Sequence, residues 1–109
     1  MDNGLYFVRV EPAGGGRAEN GGVLVLRDGR ILGGDAFFYY VGTYSGADGR
    51  WTGEFSTRQH TRSELAKPAF GAKEVAVAFS GTYTQGTAEV EATCDHGGYR
   101  LALRRIADA

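Results

Sequence analysis

The sequence predicts an all-β fold, a small eight-stranded antiparallel barrel formed by a single domain over residues 1–109. Apolar residues recur at every second position in eight short runs, which is the period of strands and not of helices. Turns rich in glycine separate the runs, and the 18 glycines are more than twice the usual share of about 7%. Closure into a barrel buries one face of every strand and removes exposed edges, and a two-sheet sandwich is the alternative.

The first five strands are predicted by alternation and by two Asp-Gly pairs. In the first strand, for example, Tyr6 and Val8 fall on one face and Phe7 on the other. Asp28-Gly29 and Asp48-Gly49 favour two-residue hairpin turns, because both central positions of such a turn need positive φ. We expect strands at Gly4–Glu11, Gly22–Arg27, Ile31–Gly33, Ala36–Ser45 and Arg50–Arg58.

Three more strands are predicted in the second half, at Lys73–Tyr83, Thr87–Cys94 and Gly98–Ile106. Residues 59–72 break the alternation and predict a loop. For the last hairpin, we expect Cys94 to pair with Tyr99 across a four-residue loop. This register places apolar residues on one face and residues of opposite charge on the other.

Composition argues against several classes of partner. Twelve Lys and Arg residues stand against thirteen Asp and Glu, a net charge of -1, so we expect neither nucleic acid nor an anionic membrane as a partner. No apolar run approaches the roughly 20 residues that span a bilayer. The single cysteine cannot form an intramolecular disulfide, and the first residues lack the pattern of a signal peptide. We therefore expect a cytoplasmic protein.

No motif predicts catalysis, a cofactor or a metal. The chain has neither a Gly-x-Ser-x-Gly nucleophile elbow nor a phosphate-binding loop. His60 and His96 fall in predicted loops, and strand alternation directs the side chains of Cys94, Asp95 and His96 apart, whereas zinc needs three or four converging ligands. Cys94 shares the face of apolar neighbours, which favours a small buried side chain over a reactive thiol. We expect no catalytic residues and no metal site.

Three carboxylates call for an interpretation. Asp35 follows Gly33 and Gly34, where we expect a bend, and its carboxylate is expected to accept hydrogen bonds from backbone amides there rather than to act as a general base. Glu89 and Glu91 share one strand face, but an arginine on the neighbouring strand favours an exposed charge ladder over a catalytic pair.

Aromatic residues are concentrated in one stretch: seven of the thirteen lie between residues 37 and 55. Five of the seven occupy both faces of the fourth strand, so we expect its outer face to be covered by another subunit or by the 59–72 loop. The candidate surface for a dimer or a partner consists of Phe38, Tyr40 and Tyr44. The candidate lining of an apolar cavity consists of Val25, Tyr39 and Phe79.

Several motifs carry a resemblance to a known family: Gly4-Leu5-Tyr6, Gly21-Gly22-Val23, Asp28-Gly29-Arg30, the run from Gly33 to Tyr44, and Ser80-Gly81-Thr82. In their order, they resemble the GrlR-like family of bacterial proteins over nearly the whole chain. The resemblance implies a lipocalin-like (calycin-type) barrel, a homodimer and no enzyme activity. For the namesake of the family, it implies negative regulation of type III secretion genes through binding of a transcriptional activator.

One hairpin departs from the family pattern. The namesake regulators carry consecutive carboxylates where this chain has Ser45-Gly46-Ala47-Asp48-Gly49, and Asp48 alone remains here. That hairpin is the candidate site for a regulatory protein partner. We expect a non-catalytic regulatory protein that acts by binding such a partner, and the alternative is a small carrier or sensor of an apolar small molecule.

Overall fold

Eight strands account for most of the chain. The computed structural model describes residues 1–14, 20–66 and 74–109, and these ranges contain strands, turns and loops but no helix. The strands are β1 (Gly4–Pro12), β2 (Asn20–Arg27), β3 (Arg30–Gly34), β4 (Phe38–Ala47), β5 (Arg50–Gln59), β6 (Val75–Thr84), β7 (Thr87–Cys94) and β8 (Gly97–Ala107).

Each strand pairs with its neighbours in sequence, and the first strand pairs with the last. The order is β1 to β8 around a closed barrel, with every pair antiparallel. The predicted single-domain, eight-stranded antiparallel barrel is therefore confirmed. A closed barrel leaves no unpaired strand edge for another chain to extend.

Two hairpin turns adopt the backbone conformation that their residues favour. Asp28 and Gly29 have φ of 51° and 83°, and Asp48 and Gly49 have φ of 58° and 79°. Positive φ at both central residues matches the twist of the two flanking strands, which explains the Asp-Gly pair at each turn.

The last hairpin is tighter than the sequence predicts. Cys94 pairs with Gly97 instead of Tyr99, so Asp95 and His96 alone form the turn. Gly97 has φ of 127°, a conformation that glycine adopts easily, which lets the chain reverse earlier. Because the register differs by two residues, each side chain keeps its predicted face.

Other predicted boundaries shift by one or two residues. β4 begins at Phe38 rather than Ala36, because Asp35 holds the preceding residues in a turn. The predicted start of β6 at Lys73 lies outside the described residues, as does the later part of the predicted 59–72 loop. Its described part contains a turn closed by the Ala66 N–H, which donates to the Ser63 carbonyl at 3.2 Å.

The interior of the barrel is packed with apolar side chains from all eight strands. Its aromatic members contact one another edge to face or tilted, with the Trp51 and Phe79 ring centroids 4.7 Å apart. Glycine provides the room for these rings: a Cβ on Gly53 would lie 2.7 Å from the Phe79 ring. The buried core consists of Tyr6, Val8, Val10, Leu24, Leu26, Ile31, Phe38, Tyr40, Trp51, Val77, Phe79, Ala88, Val90, Ala92, Leu101 and Leu103.

Candidate binding surface

The aromatic residues that the sequence places on a binding surface point into the barrel. Phe38 and Tyr40 are only 4% and 6% exposed, and Tyr44 is half-buried against the core. The three side chains share one face of β4, as predicted, but that face is the inner one. Their assignment to a dimer or partner surface is therefore wrong, because alternation groups residues by face without showing which face closes inward.

Two of the three residues predicted to line an apolar cavity are also assigned to the wrong face of their strands. Phe79 lies in the core, whereas Val25 and Tyr39 lie on the outer side of their strands, and Tyr39 is 38% exposed. Only Phe79 of the three faces the interior, so the predicted lining is wrong for Val25 and Tyr39.

Side chains nearly fill the interior of the barrel. The remaining space is about 30 Å³ and is surrounded by apolar groups such as Leu24, Trp51 and Phe79. That volume accommodates no more than about two water molecules. Pockets that bind small organic ligands are typically about 300–1,000 Å³, so an apolar ligand could enter only if core side chains moved.

The outer side of β1–β4 carries a continuous group of apolar residues. We call it the apolar face, and its members are Leu5, Phe7, Val23, Val25, Leu32, Tyr39 and Val41. Leu5, Val25, Leu32 and Val41 lie directly opposite one another across four neighbouring strands. With strands about 4.8 Å apart, this row is about 14 Å long.

Members of the apolar face are accessible rather than covered. Val23, Leu32 and Val41 are 41%, 44% and 44% exposed. Scattered apolar residues are normal on a protein surface, but a contiguous group across four strands is typical of a site where another molecule binds. The described residues of the 59–72 loop leave Tyr39 and Val41 exposed, so they do not provide the predicted cover.

The other half of the barrel is polar outside. The outward positions of β5–β8 carry mainly hydroxyl, small and charged side chains, among them Glu54, Thr82, Glu89, Glu91 and Arg100. Glu91 lies opposite Arg100 across the strand pair, whereas Glu89 lies opposite Ala102, so only one of the two glutamates faces an arginine as the predicted charge ladder requires. The contrast between the two halves identifies the apolar face as the distinctive surface of the molecule.

Asp35 joins the corner between β3 and β4. Its Oδ1 accepts hydrogen bonds from the backbone N–H groups of Phe37 at 2.9 Å and Phe38 at 2.8 Å, and its Oδ2 accepts one from the Tyr40 hydroxyl at 2.6 Å. The Asp35 N–H also donates to the Phe38 carbonyl at 2.9 Å. These bonds fix where β4 begins and therefore which of its residues face outward.

Tyr40 stays protonated under ordinary conditions. Burial, and then the hydrogen bond to Asp35, raises the pKa of Tyr40 well above its usual value of 10.0. Ionisation of Tyr40 would place a second negative charge beside the Asp35 carboxylate in a partly apolar site, which is unfavourable. Its hydroxyl is thus a hydrogen-bond donor to Asp35 and not a proton-transfer group.

The Ser45–Gly49 hairpin projects from the same barrel. Ser45, Gly46, Ala47 and Asp48 are exposed, as a partner-binding hairpin requires. Its single carboxylate contributes little charge, so the hairpin alone offers few groups for recognition. Its role in binding a partner stays a prediction.

The described residues bring together no constellation for catalysis or metal binding. No group of three or more His, Cys, Asp or Glu side chains converges within the parts of the chain that the structure describes. The His60 ring is involved in local bonds, its Nε2 to the Asp35 carbonyl at 3.0 Å and its Nδ1 to the Thr61 hydroxyl at 2.6 Å.

Sequence reasoning missed much of the apolar face. It placed Tyr39 and Val41 on a doubly apolar strand but did not join them to Val23 and Leu32. The signal that could have found the group is the register of the β2–β3 and β3–β4 hairpins, which places Val25 opposite Leu32 and Leu32 opposite Val41.

Fold and surface together define a closed antiparallel β-barrel with a filled interior and one exposed apolar face. Comparison of the sequence with protein-family models and with curated proteins gives no match. The resemblance to the GrlR-like family therefore stays a prediction from the motifs. Among the described residues, the chain forms no helix of the length and apolarity needed to cross a membrane.

Proposed function

We propose that this protein is a non-catalytic regulator that acts by binding another protein through its apolar face. The observation that carries the proposal is the row formed by Leu5, Val25, Leu32 and Val41 across four strands, which leaves apolar side chains in contact with water. Burying such a surface against a partner is favourable by about 25 cal/mol for each Å² of apolar area removed from water.

The filled interior supports binding at the outer face over binding inside. A space of about 30 Å³ is far smaller than a fatty acid requires. A carrier function, the alternative that the sequence suggests, would need several core side chains to move. Sedimentation at micromolar concentration tests the expected homodimer separately, since it distinguishes a monomer of 11.7 kDa from a species of twice that mass.

A paired-substitution experiment tests the proposal. Leu32→Gln combined with Val41→Gln places polar groups at a cross-strand pair in the middle of the apolar face. The matched control is Ala78→Gln combined with Thr93→Gln, another exposed cross-strand pair, located in the polar half. Each form is tagged and used to capture proteins from a lysate of its own host, and bound proteins are quantified by mass spectrometry.

We expect the wild type and the control pair to retain the same stoichiometric partner and the apolar-face pair to lose it. Thermal unfolding of all three forms verifies that each is folded, which the exposure of the four positions favours. A partner retained equally by the apolar-face pair would place binding elsewhere. An apolar small molecule retained by the wild type, with no protein partner, would favour the carrier function.

A further inference from the structure

Arginines border the apolar face on three sides. At the hairpin end, Arg27 and Arg30 lie two positions from Val25 and Leu32 on the same outer side of β2 and β3. On the β5 side Arg58 lies opposite Tyr39, and on the β8 side Arg104 lies opposite Phe7. All four arginines are exposed.

Most of this positive charge has no counterpart within the described residues. Arg27 approaches the Asp28 carboxylate at 3.9 Å, with both side chains largely exposed, whereas Arg30, Arg58 and Arg104 form no ion pair there. The Arg104 guanidinium carbon lies 5.8 Å from the centre of the Phe7 ring, so the charge is held over the apolar face itself.

We propose that the apolar face binds an acidic segment of a partner protein, one whose apolar side chains are flanked by carboxylates. The inference rests on the proposed function and names the chemistry of its partner. Apolar side chains of the segment would cover the row from Leu5 to Val41, and its carboxylates would meet the bordering guanidinium groups. Arginine is suited to this, because its planar fork can bind both oxygens of a carboxylate.

Other occupants fit the surface less well. A second copy bound symmetrically would bring two copies of the same border together, so arginines would lie near arginines. Nucleic acid would leave the apolar residues at the centre of the face exposed to water, since its backbone offers charge and not apolar area. Addition of a strand from a partner is not available, because the barrel is closed.

Two synthetic peptides test the chemistry of the partner. Both are amphipathic helices with the same leucine stripe, flanked by glutamates in one and by lysines in the other. Each carries a fluorescent label and is titrated with the full-length chain, and anisotropy gives the affinity. We expect the glutamate peptide to bind at least about tenfold more tightly than the lysine peptide, and added salt to weaken its binding by screening the charges.

Charge reversal identifies the arginines responsible. Arg30→Glu combined with Arg58→Glu should weaken binding of the glutamate peptide by about tenfold, the change expected when exposed ion pairs are lost. Arg50→Glu is the control, since Arg50 is an exposed arginine at the far end of β5, beside the 48–49 turn. The salt titration of the wild type needs no variant and remains informative if a variant is unstable.

Each contrary result overturns the inference in a distinct way. Equal binding of the two peptides, or binding insensitive to the Arg30 and Arg58 reversals, would remove the acidic partner but leave the proposed function to its own experiment. Binding to phosphatidylglycerol vesicles without binding to the glutamate peptide would assign the face to an anionic lipid surface. Sedimentation at twice the chain mass, lost on Leu32→Gln with Val41→Gln, would assign it to a second copy.

Discussion

At the scale of single residues, Asp35 has the densest set of hydrogen bonds at the β3–β4 corner. One carboxylate accepts from two backbone amides and from the Tyr40 hydroxyl. Phe37 precedes β4 and Phe38 begins it, and their N–H groups donate to this side chain, which takes the place of a strand neighbour. Replacing it leaves partly buried donors without an acceptor.

Asp35→Ala should lower the free energy of unfolding by about 1–3 kcal/mol, because charge-assisted bonds to backbone amides and to a buried hydroxyl are lost together. Urea unfolding followed by circular dichroism measures the change. Asp95→Ala, in the exposed β7–β8 turn, is the control and should change stability by less than about 0.5 kcal/mol. Equal stability of the Asp35 variant and the wild type would show that the corner does not depend on this carboxylate.

The raised pKa of Tyr40 predicts that the folded protein loses stability at alkaline pH. Its pKa is raised in the folded protein above the value of 10.0 that it has when unfolded, so above pH 10 the unfolded chain releases this proton while the folded chain keeps it. The contribution of Tyr40 to the free energy of unfolding is fully present below pH 10 and is lost as the pH rises further. Burial also raises the pKa of Tyr6 and Tyr44, which add to the same trend.

The urea concentration at the unfolding midpoint should therefore decrease as the pH is raised from 9 to 11. Tyr40→Phe should make that decrease smaller. Tyr39→Phe is the comparison, since Tyr39 is exposed on the neighbouring position of the same strand. If the two variants show the same dependence on pH as the wild type, Tyr40 does not hold its proton more tightly in the folded state.

At the scale of strands and hairpins, close packing between neighbours depends on positions without a side chain. Gly53 faces inward between β4 and β6, opposite Tyr44 on one side and Phe79 on the other. The Phe79 ring occupies the space that a side chain at position 53 would need. The Phe79 ring therefore fits into this part of the barrel because the neighbouring strand carries a glycine at position 53.

Gly53→Ala should destabilise the barrel by about 1–3 kcal/mol, because its Cβ would clash with the Thr43 carbonyl oxygen and lie 2.7 Å from the Phe79 ring, so the strand and the ring would have to shift. Thermal unfolding measures the effect. Gly14→Ala is the matched control, since a Cβ there meets nothing within 4 Å. Phe79→Leu relieves only the clash with the ring, so the loss in the double variant should be smaller than the sum of the two single losses. An additive effect would contradict the contact between position 53 and the ring.

The strands could be predicted from the sequence, but the orientation of β4 could not. Alternation and Asp-Gly turns are local signals, and they locate strands and hairpins to within a few residues. The inner face of a strand is decided by closure of the whole barrel, which a strand with aromatic residues on both faces does not reveal. For that reason the sequence predicts Tyr40 outward and Tyr39 inward, the reverse of the structure.

At the scale of the whole molecule, the inner and the outer surface of the barrel differ in character. The inside is filled, and the outside carries the apolar face on β1–β4 and mainly polar side chains on β5–β8. Trp51 is the one tryptophan in the chain and is only 4% exposed within the core, beside the residual space. Its fluorescence therefore reports on the interior independently of events at the apolar face.

A saturating fatty acid should leave both the Trp51 emission spectrum and the melting temperature unchanged, since about 30 Å³ of space cannot receive it. A ligand held inside would change the surroundings of the indole ring and raise the melting temperature in proportion to its affinity. The glutamate peptide, for which we propose binding at the apolar face, should raise the melting temperature while leaving the emission maximum in place. A shift of the emission maximum by the fatty acid would contradict the filled interior.

The strict alternation of inward and outward side chains has a consequence for divergence between copies of the gene. Along β1, β2 and β4, odd-numbered codons such as those for Leu5, Val25 and Val41 specify the surface, while the even-numbered codons between them specify the core. Mutations at the first set can accumulate without disturbing the second. A duplicated gene could thus acquire a new binding preference by changing every other codon of three strands, while its product kept the same scaffold.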